Sequence, residues 1–121
     1  MTQVHMHGIS NCDSIKKAKI WLHAANIEFD FRDYKKNPPS VLELQAWVQQ
    51  VGWKLLLNKR GTTWRKLSVE AQNCVNQTNV CALLSEQPSI IKRPLLVIQS
   101  EQKNQVFVGF KAQQYADIFN L

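Results

Sequence analysis

Alternating apolar and polar residues predict short strands near the start of the chain. Val4, Met6 and Gly8 alternate with two histidines, a pattern typical of a strand. Residues 27–32 alternate aromatic or aliphatic side chains with charged ones, which predicts a second strand with one buried face.

Apolar residues between these strands recur at helical spacing. Spacings of three, four and seven place five of them on one helix face: Ile15, Ala18, Trp21, Leu22 and Ala25. Asn11 or Asp13 is a suitable N-cap, and Asn26 can end the helix in the left-handed conformation. Strand, helix and strand in this order predict a right-handed βαβ unit with parallel strands.

The middle of the chain, about residues 40–90, predicts a helical insertion. Ser40 and Glu43 have the spacing of a capping box, and Gly52 can close the helix that follows. Residues 53–57 favour one more helical turn, residues 58–66 a basic loop, and residues 68–75 and 79–86 short helices.

The last third of the chain predicts a hairpin and a helix. Residues 95–98 and 106–108 are apolar and flank a polar turn, so we expect two antiparallel strands. A final helix is expected over about residues 111–119. The predicted order is therefore βαβ, helical insertion, ββα, an α/β fold with one four-stranded mixed sheet, in a single domain over residues 1–121.

The amino-acid composition limits the classes of protein to which this chain can belong. The chain has 121 residues, of which 45% are hydrophobic and 20% charged, as expected of a globular domain. It has no apolar run of the ~20 residues that span a membrane, and its N-terminus lacks the pattern of a secretory signal. Three cysteines with no close pair fit a reducing compartment. We therefore expect a cytoplasmic protein without a membrane partner.

The chain carries a formal net charge of +6, and five basic residues without an acid lie between Lys54 and Lys66. Such charge suits nucleic acid, an anionic small molecule, or solubility alone. A solvated loop is the preferred interpretation for the lysines, and no nucleic-acid reading motif accompanies them. We therefore expect nucleic acid not to be a partner.

Cys12 is the candidate reactive residue. It lies where the first strand passes into the first helix, and a helix N-terminus favours the reactive thiolate. Lys16, one turn further, adds a cation. Cys74 and Cys81, about 10 Å apart on a continuous helix, are too distant for a disulfide, and we interpret them as packing residues. His5 and His7 lack a third ligand nearby, so no metal is expected.

Arg93-Pro94 precedes the third strand and is the second candidate. A proline that begins a strand beside a reactive loop suggests a cis bond. We expect it to leave the main chain before Leu95 free to pair with an extended peptide. Arg93 would present its guanidinium to whatever binds near Cys12.

Three stretches carry a resemblance to a known family: residues 11–16 around Cys12, 34–39, and 88–94. They resemble the arsenate reductase (ArsC-like) family, which includes the Spx regulators. Residues 52–67 are closer still to its YffB-type subgroup. The resemblance covers the whole chain and implies a thioredoxin-like fold, Cys12 as redox nucleophile, and Arg93 before a cis-proline as an oxyanion contact.

The chain also departs from its relatives. Arsenate reductases of this type carry an arginine where this chain has Asn58, although Arg60 could reach the same space, and another near Gly109-Phe110. The redox-switching Spx proteins have a Cys-x-x-Cys at the loop. Here isoleucines stand three residues on either side of Cys12, which excludes an internal switch disulfide.

These observations give one leading hypothesis and three alternatives. The first is a glutathione-dependent thiol oxidoreductase with one nucleophilic cysteine and glutathione as reductant. Lys16, Arg60 and Arg93 would stabilise thiolate and substrate charge, and Asn11, Arg93 and Pro94 would bind glutathione. The alternatives are arsenate reduction, an Spx-like regulator without turnover, and, as the weakest, nucleic-acid binding. Expected partners are glutathione or a small thiol or disulfide, and a glutaredoxin or other protein.

Overall fold

The structure, a computed structural model, describes residues 2–121. Met1, the first residue of the segment in which we expect no secretory signal, lies outside the described residues. The strands are β1 (Gln3–Gly8), β2 (Asp30–Asp33), β3 (Leu95–Gln99) and β4 (Asn104–Val108). The helices are α1 (Asp13–Ala24), α2 (Val41–Val51), α3 (Trp53–Leu56), α4 (Thr62–Arg65), α5 (Val69–Asn73), α6 (Val80–Glu86) and α7 (Ala112–Ile118), with a 3₁₀ turn at Pro88–Ile90.

The four strands form one mixed sheet in the order β2-β1-β3-β4. β1 pairs in parallel with β2, as the βαβ prediction requires, and antiparallel with β3. β3 and β4 form the predicted antiparallel hairpin. The fold is therefore the α/β, thioredoxin-like fold that we expected, although β2 begins at Asp30 rather than at residue 27.

The chain forms two compact units, and each is described by itself. The sheet unit contains the residues up to Asp33 together with Arg93–Leu121. The helical unit is Tyr34–Lys92, which includes the predicted insertion at about 40–90. That the two units together make a single domain stays a prediction.

One face of the sheet carries the core of the sheet unit. Buried residues of β1 and β3 pack there against the predicted apolar face of α1 and against Tyr115 of α7. These residues are Val4, Met6, Ile15, Ala18, Leu22, Leu96, Ile98 and Tyr115. Cys12 is partly buried against this cluster. The first turn of α1 is therefore held by packing next to the end of β1.

Local signals in the helical unit are largely confirmed. Ser40 and Glu43 form the capping box, and Gly52 ends α2 with φ of 85°, a conformation that glycine adopts without strain. Residues 58–66 were expected to be a loop, but they include α4. Its Trp64 is buried, and burial of this aromatic ring favours an ordered turn over a solvated loop.

Cys74 was interpreted as a packing residue, and this is wrong. It follows the last residue of α5 and is exposed, because α5 is a short surface helix in which no residue is buried. Cys81 lies in α6 and is buried, as predicted.

Among the described helices, none is both long enough and apolar enough to cross a membrane. Within residues 2–121, no three His, Cys, Asp or Glu side chains are grouped so that they could hold a metal ion.

Candidate active site

Cys12 is itself the N-cap of α1, and the expectation that Asn11 or Asp13 has this role is wrong. Its backbone is extended, with φ of −151° and ψ of 129°. The carbonyl of Cys12 accepts the first helical hydrogen bond from the N–H of Lys16 at 3.0 Å. Asp13 is the first residue of the helix and Asn11 precedes the cap. The sulfur therefore occupies the place where an N-cap side chain meets the unpaired N–H groups of the first turn.

The surroundings of Cys12 favour its thiolate. Burial raises the pKa of the Cys12 thiol, but the N–H of Ile15, the guanidinium of Arg93 and the N–H of Ser14 outweigh it, so that the pKa lies below its ordinary value. The sulfur does not make a capping hydrogen bond of standard geometry. The two N–H groups therefore act mainly as dipoles that stabilise the charge on sulfur.

Arg93 reaches Cys12 from the segment before β3. Its guanidinium hydrogen-bonds the sulfur and attracts its negative charge. The peptide bond Arg93-Pro94 is cis, which confirms that prediction. Because Arg93 directly precedes the proline that leads into β3, the central pairing of β1 with β3 brings it beside the loop that follows β1.

Pro94 is placed differently from our expectation. It is buried, and its carbonyl accepts a hydrogen bond from the N–H of Gly109 at 2.8 Å. The prediction that the main chain here is free for an extended peptide is therefore wrong for Pro94, because its carbonyl is used within the hairpin and proline has no N–H.

Lys16 and Asn11 are both exposed. Within the described chain, the side chain of Lys16 is not among the groups that lower the pKa of Cys12, although its main chain pairs with Cys12. Its role as a thiolate-stabilising cation, and that of Asn11 in binding glutathione, stay predictions.

Arg60 belongs to the helical unit, where it is exposed and its N–H donates to Oδ1 of Asn58 at 3.2 Å. Asn58 is partly buried and its N–H donates to the carbonyl of Ile90 at 2.7 Å. The Asn58 side chain therefore orders the turn that carries Arg60. The role of Arg60 toward Cys12 stays a prediction.

Phe110 lies near the position at which the resemblance to arsenate reductases led us to look for a further arginine. Its ring packs edge-on against Tyr115, with 4.7 Å between the ring centroids. Phe110 is therefore a partly buried part of the core of the sheet unit.

The other two thiols lack comparable surroundings. Burial raises the pKa of Cys81, so its thiolate is disfavoured. Cys74 is exposed at the end of a five-residue helix. Among the three cysteines, only Cys12 combines a helix N-terminus with an arginine.

Sequence reasoning missed Ser14 and Ile15 as functional residues, since they act through the main chain. The signal that could have found them is the position of Cys12 relative to the helix. If a cysteine is the N-cap, the second and third residues of the helix direct their N–H groups toward it. Assigning the cap to Asn11 or Asp13 hid that relation.

Comparisons with known proteins identify the family of this chain. Residues 7–118 match the ArsC family. A solved YffB protein shares 36% identity with a TM-score of 0.85, over 95% of this chain and 97% of the other. An arsenate reductase (ArsC) related protein from Brucella melitensis, solved in solution, shares 39% identity over 98% of this chain and 96% of that one, with a TM-score of 0.72.

A regulator is also similar in sequence. The global transcriptional regulator Spx 2 of Lactococcus lactis is 26% identical over 106 residues, which are 86% of this chain and 76% of the regulator. The resemblance to the ArsC and Spx proteins, with the YffB-type subgroup, is thus confirmed. On the family match over most of its length, the chain belongs to the ArsC family.

Proposed function

We propose that this protein is a glutathione-dependent thiol oxidoreductase in which Cys12 is the only nucleophile. The observation that carries the proposal is the stabilisation of the Cys12 thiolate at the end of α1 by Arg93 and by two backbone N–H groups. The thiolate is the reactive form in thiol–disulfide exchange, and a Cys12 thiol that is partly accessible and has a lowered pKa forms it more readily than an ordinary thiol.

The proposed reaction has two exchanges. The Cys12 thiolate attacks the glutathionyl sulfur of a mixed disulfide, forms a Cys12–glutathione disulfide, and releases the substrate as a thiolate that takes a proton from water. The thiolate of a second glutathione then attacks the glutathionyl sulfur on Cys12. This step restores the Cys12 thiolate and releases oxidised glutathione, so that the substrate is reduced and two glutathione molecules leave as a disulfide.

An external thiol fits the cysteines of this chain. Ile9 and Ile15 stand where a Cys-x-x-Cys would place a partner for Cys12, and Cys81 is buried. Arg93 is the cation that we propose for a glutathione carboxylate as well as for the thiolate, with Lys16 and Arg60 as further candidates. Asn11 and Pro94 remain proposed neighbours of glutathione, although Pro94 cannot pair with it through its own carbonyl, which accepts from Gly109, or through its nitrogen, which carries no hydrogen.

The first test is intact mass after exposure of the reduced protein to oxidised glutathione. We expect one glutathione adduct per chain, located on Cys12 by peptide mapping and absent from Cys12→Ser. Cys74→Ser is the matched control, because it removes an exposed thiol without touching α1, and we expect it to keep the adduct. A protein that forms no adduct on Cys12, or forms it first on Cys74, would contradict the proposal.

Arsenate reduction is a second candidate, which the similarity to the Brucella protein favours. Arsenate is a compact, multiply charged oxyanion, and it must approach a thiolate that repels it. Several fixed cations are therefore needed, whereas Asn58 and Phe110 occupy or adjoin positions where such reductases carry arginine. We expect weak Cys12-dependent arsenate turnover in a glutathione-coupled assay. Efficient turnover would favour this candidate over thiol–disulfide exchange.

The similarity to Spx 2 supports a third candidate, a protein-binding regulator that uses the same fold without turnover. It predicts that Cys12→Ser keeps full biological activity. Loss of activity in Cys12→Ser, with normal folding by circular dichroism, would favour a redox enzyme instead.

A further inference from the structure

Gly8, the last residue of β1, lies between two residues that stabilise the sulfur of Cys12. It is buried and pairs with Asp33 in the strand ladder. Unlike Gly52 and Gly109, it does not have a positive φ. Its backbone conformation is thus open to any residue, and a requirement for glycine here must come from space rather than from conformation.

The space beside Gly8 is filled by Ile15 and Arg93. A Cβ atom added at Gly8 would overlap Cδ1 of Ile15, would lie 3.1 Å from Cγ1 of the same side chain, and would lie 3.5 Å from Cβ of Arg93. The last distance is an ordinary contact, whereas the first cannot persist. The side chain of Ile15 must therefore move if residue 8 has a Cβ.

Ile15 has little freedom to move. Its side chain is completely buried in the core between β1, β3 and α1, where packing leaves few voids and a displaced methyl group shifts its neighbours. Ile15 is the third residue of α1, and its N–H contributes to the lowered pKa of Cys12. Because the buried side chain has little room to turn, we expect its displacement to shift the first turn of the helix as well.

We propose that Gly8 is a positioning residue of this site: the missing side chain lets the first turn of α1 settle against β1, so that Ile15 and Arg93 approach the Cys12 sulfur together. The inference rests on the proposed role of Cys12 as nucleophile. It adds that the end of β1 sets the distance between sulfur and its donors, through the contact of Gly8 with Ile15.

The test is the pH dependence of the reaction of Cys12 with a neutral disulfide reagent, measured in a Cys74→Ser background. We expect Gly8→Ala to raise the pH midpoint of the Cys12 reaction by about one unit, because the N–H dipoles of the first helical turn then stabilise the charged sulfur less. Ile15→Val removes Cδ1, the atom that overlaps. We expect the double variant Gly8→Ala with Ile15→Val to return to within about 0.3 unit of the parent.

Val4→Ala is the matched control for general destabilisation. Val4 lies on the same strand and faces the same core, but it is at the other end of β1 from Cys12. We expect Val4→Ala to lower the unfolding midpoint without moving the pH midpoint of Cys12. This comparison separates positioning from loss of stability.

An unchanged pH midpoint in Gly8→Ala, or a raised midpoint that Ile15→Val does not reverse, would overturn the proposal. If Gly8→Ala alone does not fold, the double variant decides. A folded double variant with the parent midpoint supports the inference, and one that is unfolded or has a raised midpoint refutes it. Because the readout needs neither glutathione nor arsenate, a failure of the proposed function is seen separately, as the absence of a glutathione adduct on Cys12.

Discussion

Replacing Arg93 with alanine tests which cation stabilises the thiolate. Arg93 both hydrogen-bonds and attracts the sulfur of Cys12. Hydrogen bonds to charged groups contribute about 1.5–3 kcal/mol, and one pKa unit corresponds to about 1.4 kcal/mol. Solvent screens part of this interaction because Cys12 and Arg93 are only partly buried. We therefore expect Arg93→Ala to raise the pKa of Cys12 by about one unit.

The assay is the rate of reaction with a neutral disulfide reagent from pH 4 to 10, in a Cys74→Ser background. A neutral reagent removes any effect of Arg93 on substrate charge. Below the pH midpoints of both the parent and Arg93→Ala, a one-unit rise in the pKa of Cys12 leaves about tenfold less thiolate. The more basic sulfur is about threefold more reactive, which offsets part of this loss. We therefore expect a net loss of about threefold at low pH and a gain of about threefold above both midpoints.

The change of sign across the pH range is the diagnostic feature. A structural defect that merely blocks access to Cys12 would lower the rate at every pH. Lys103→Ala is the charge-matched control, since Lys103 is exposed in the turn between β3 and β4 and only its main chain bonds Ser100. The reasoning is refuted if the midpoint of Arg93→Ala does not move, or if Lys103→Ala moves it equally.

Two further predictions concern stability. The pKa of Cys12 is lowered in the folded state. Ionisation of Cys12 therefore stabilises the folded protein fully above the unfolded pKa of about 8.5, and this stabilisation is lost as the pH falls through the pKa of the folded state. In urea unfolding under reducing conditions, Cys12→Ser should therefore lose more free energy of unfolding, relative to the parent, at pH 9 than at pH 6. An equal loss at both pH values would contradict this prediction. The hydroxyl of Tyr115 is buried without a hydrogen-bond partner in residues 2–121, so Tyr115→Phe should be neutral or stabilising by up to ~1 kcal/mol at pH 7. Burial raises the pKa of Tyr115. The parent should therefore lose stability above pH ~10, where the unfolded tyrosine ionises, and Tyr115→Phe should lose less. A clear loss of stability in Tyr115→Phe at pH 7 would show that the hydroxyl has a partner.

Features set by local sequence were predictable. The capping box at Ser40, the left-handed conformation of Asn26 and the end of α2 at Gly52 each depend on a few neighbouring residues, and all were predicted. The apolar face of α1, the parallel βαβ unit and the β3–β4 hairpin also followed from spacing and handedness. These features require no knowledge of distant contacts.

Features set by tertiary packing were not predictable in the same way. Asn11 and Asp13 are better N-caps than cysteine by propensity, yet Cys12 is the cap. The overlap that a Cβ at Gly8 would create shows how closely the end of β1 meets the first turn of α1, and spacing along the sequence does not predict such a contact. Likewise, the exposure of Cys74 depends on where α5 ends, which helical spacing alone does not give.

The composition of the site limits what side-chain substitution can reveal about it. Of the three groups that lower the pKa of Cys12, two are backbone N–H groups, of Ile15 and Ser14, and exchange of their side chains leaves those groups in place. An alanine scan would therefore detect the contribution of Arg93 but underestimate the contribution of the N–H groups at the N-terminus of α1. The N–H groups can be displaced only by moving the first turn of α1, and its contact with Gly8 is the place where a single added methyl group would do so. Arg93→Ala and Gly8→Ala thus perturb different donors to one sulfur, and because both residues act on Cys12 their effects should not be additive.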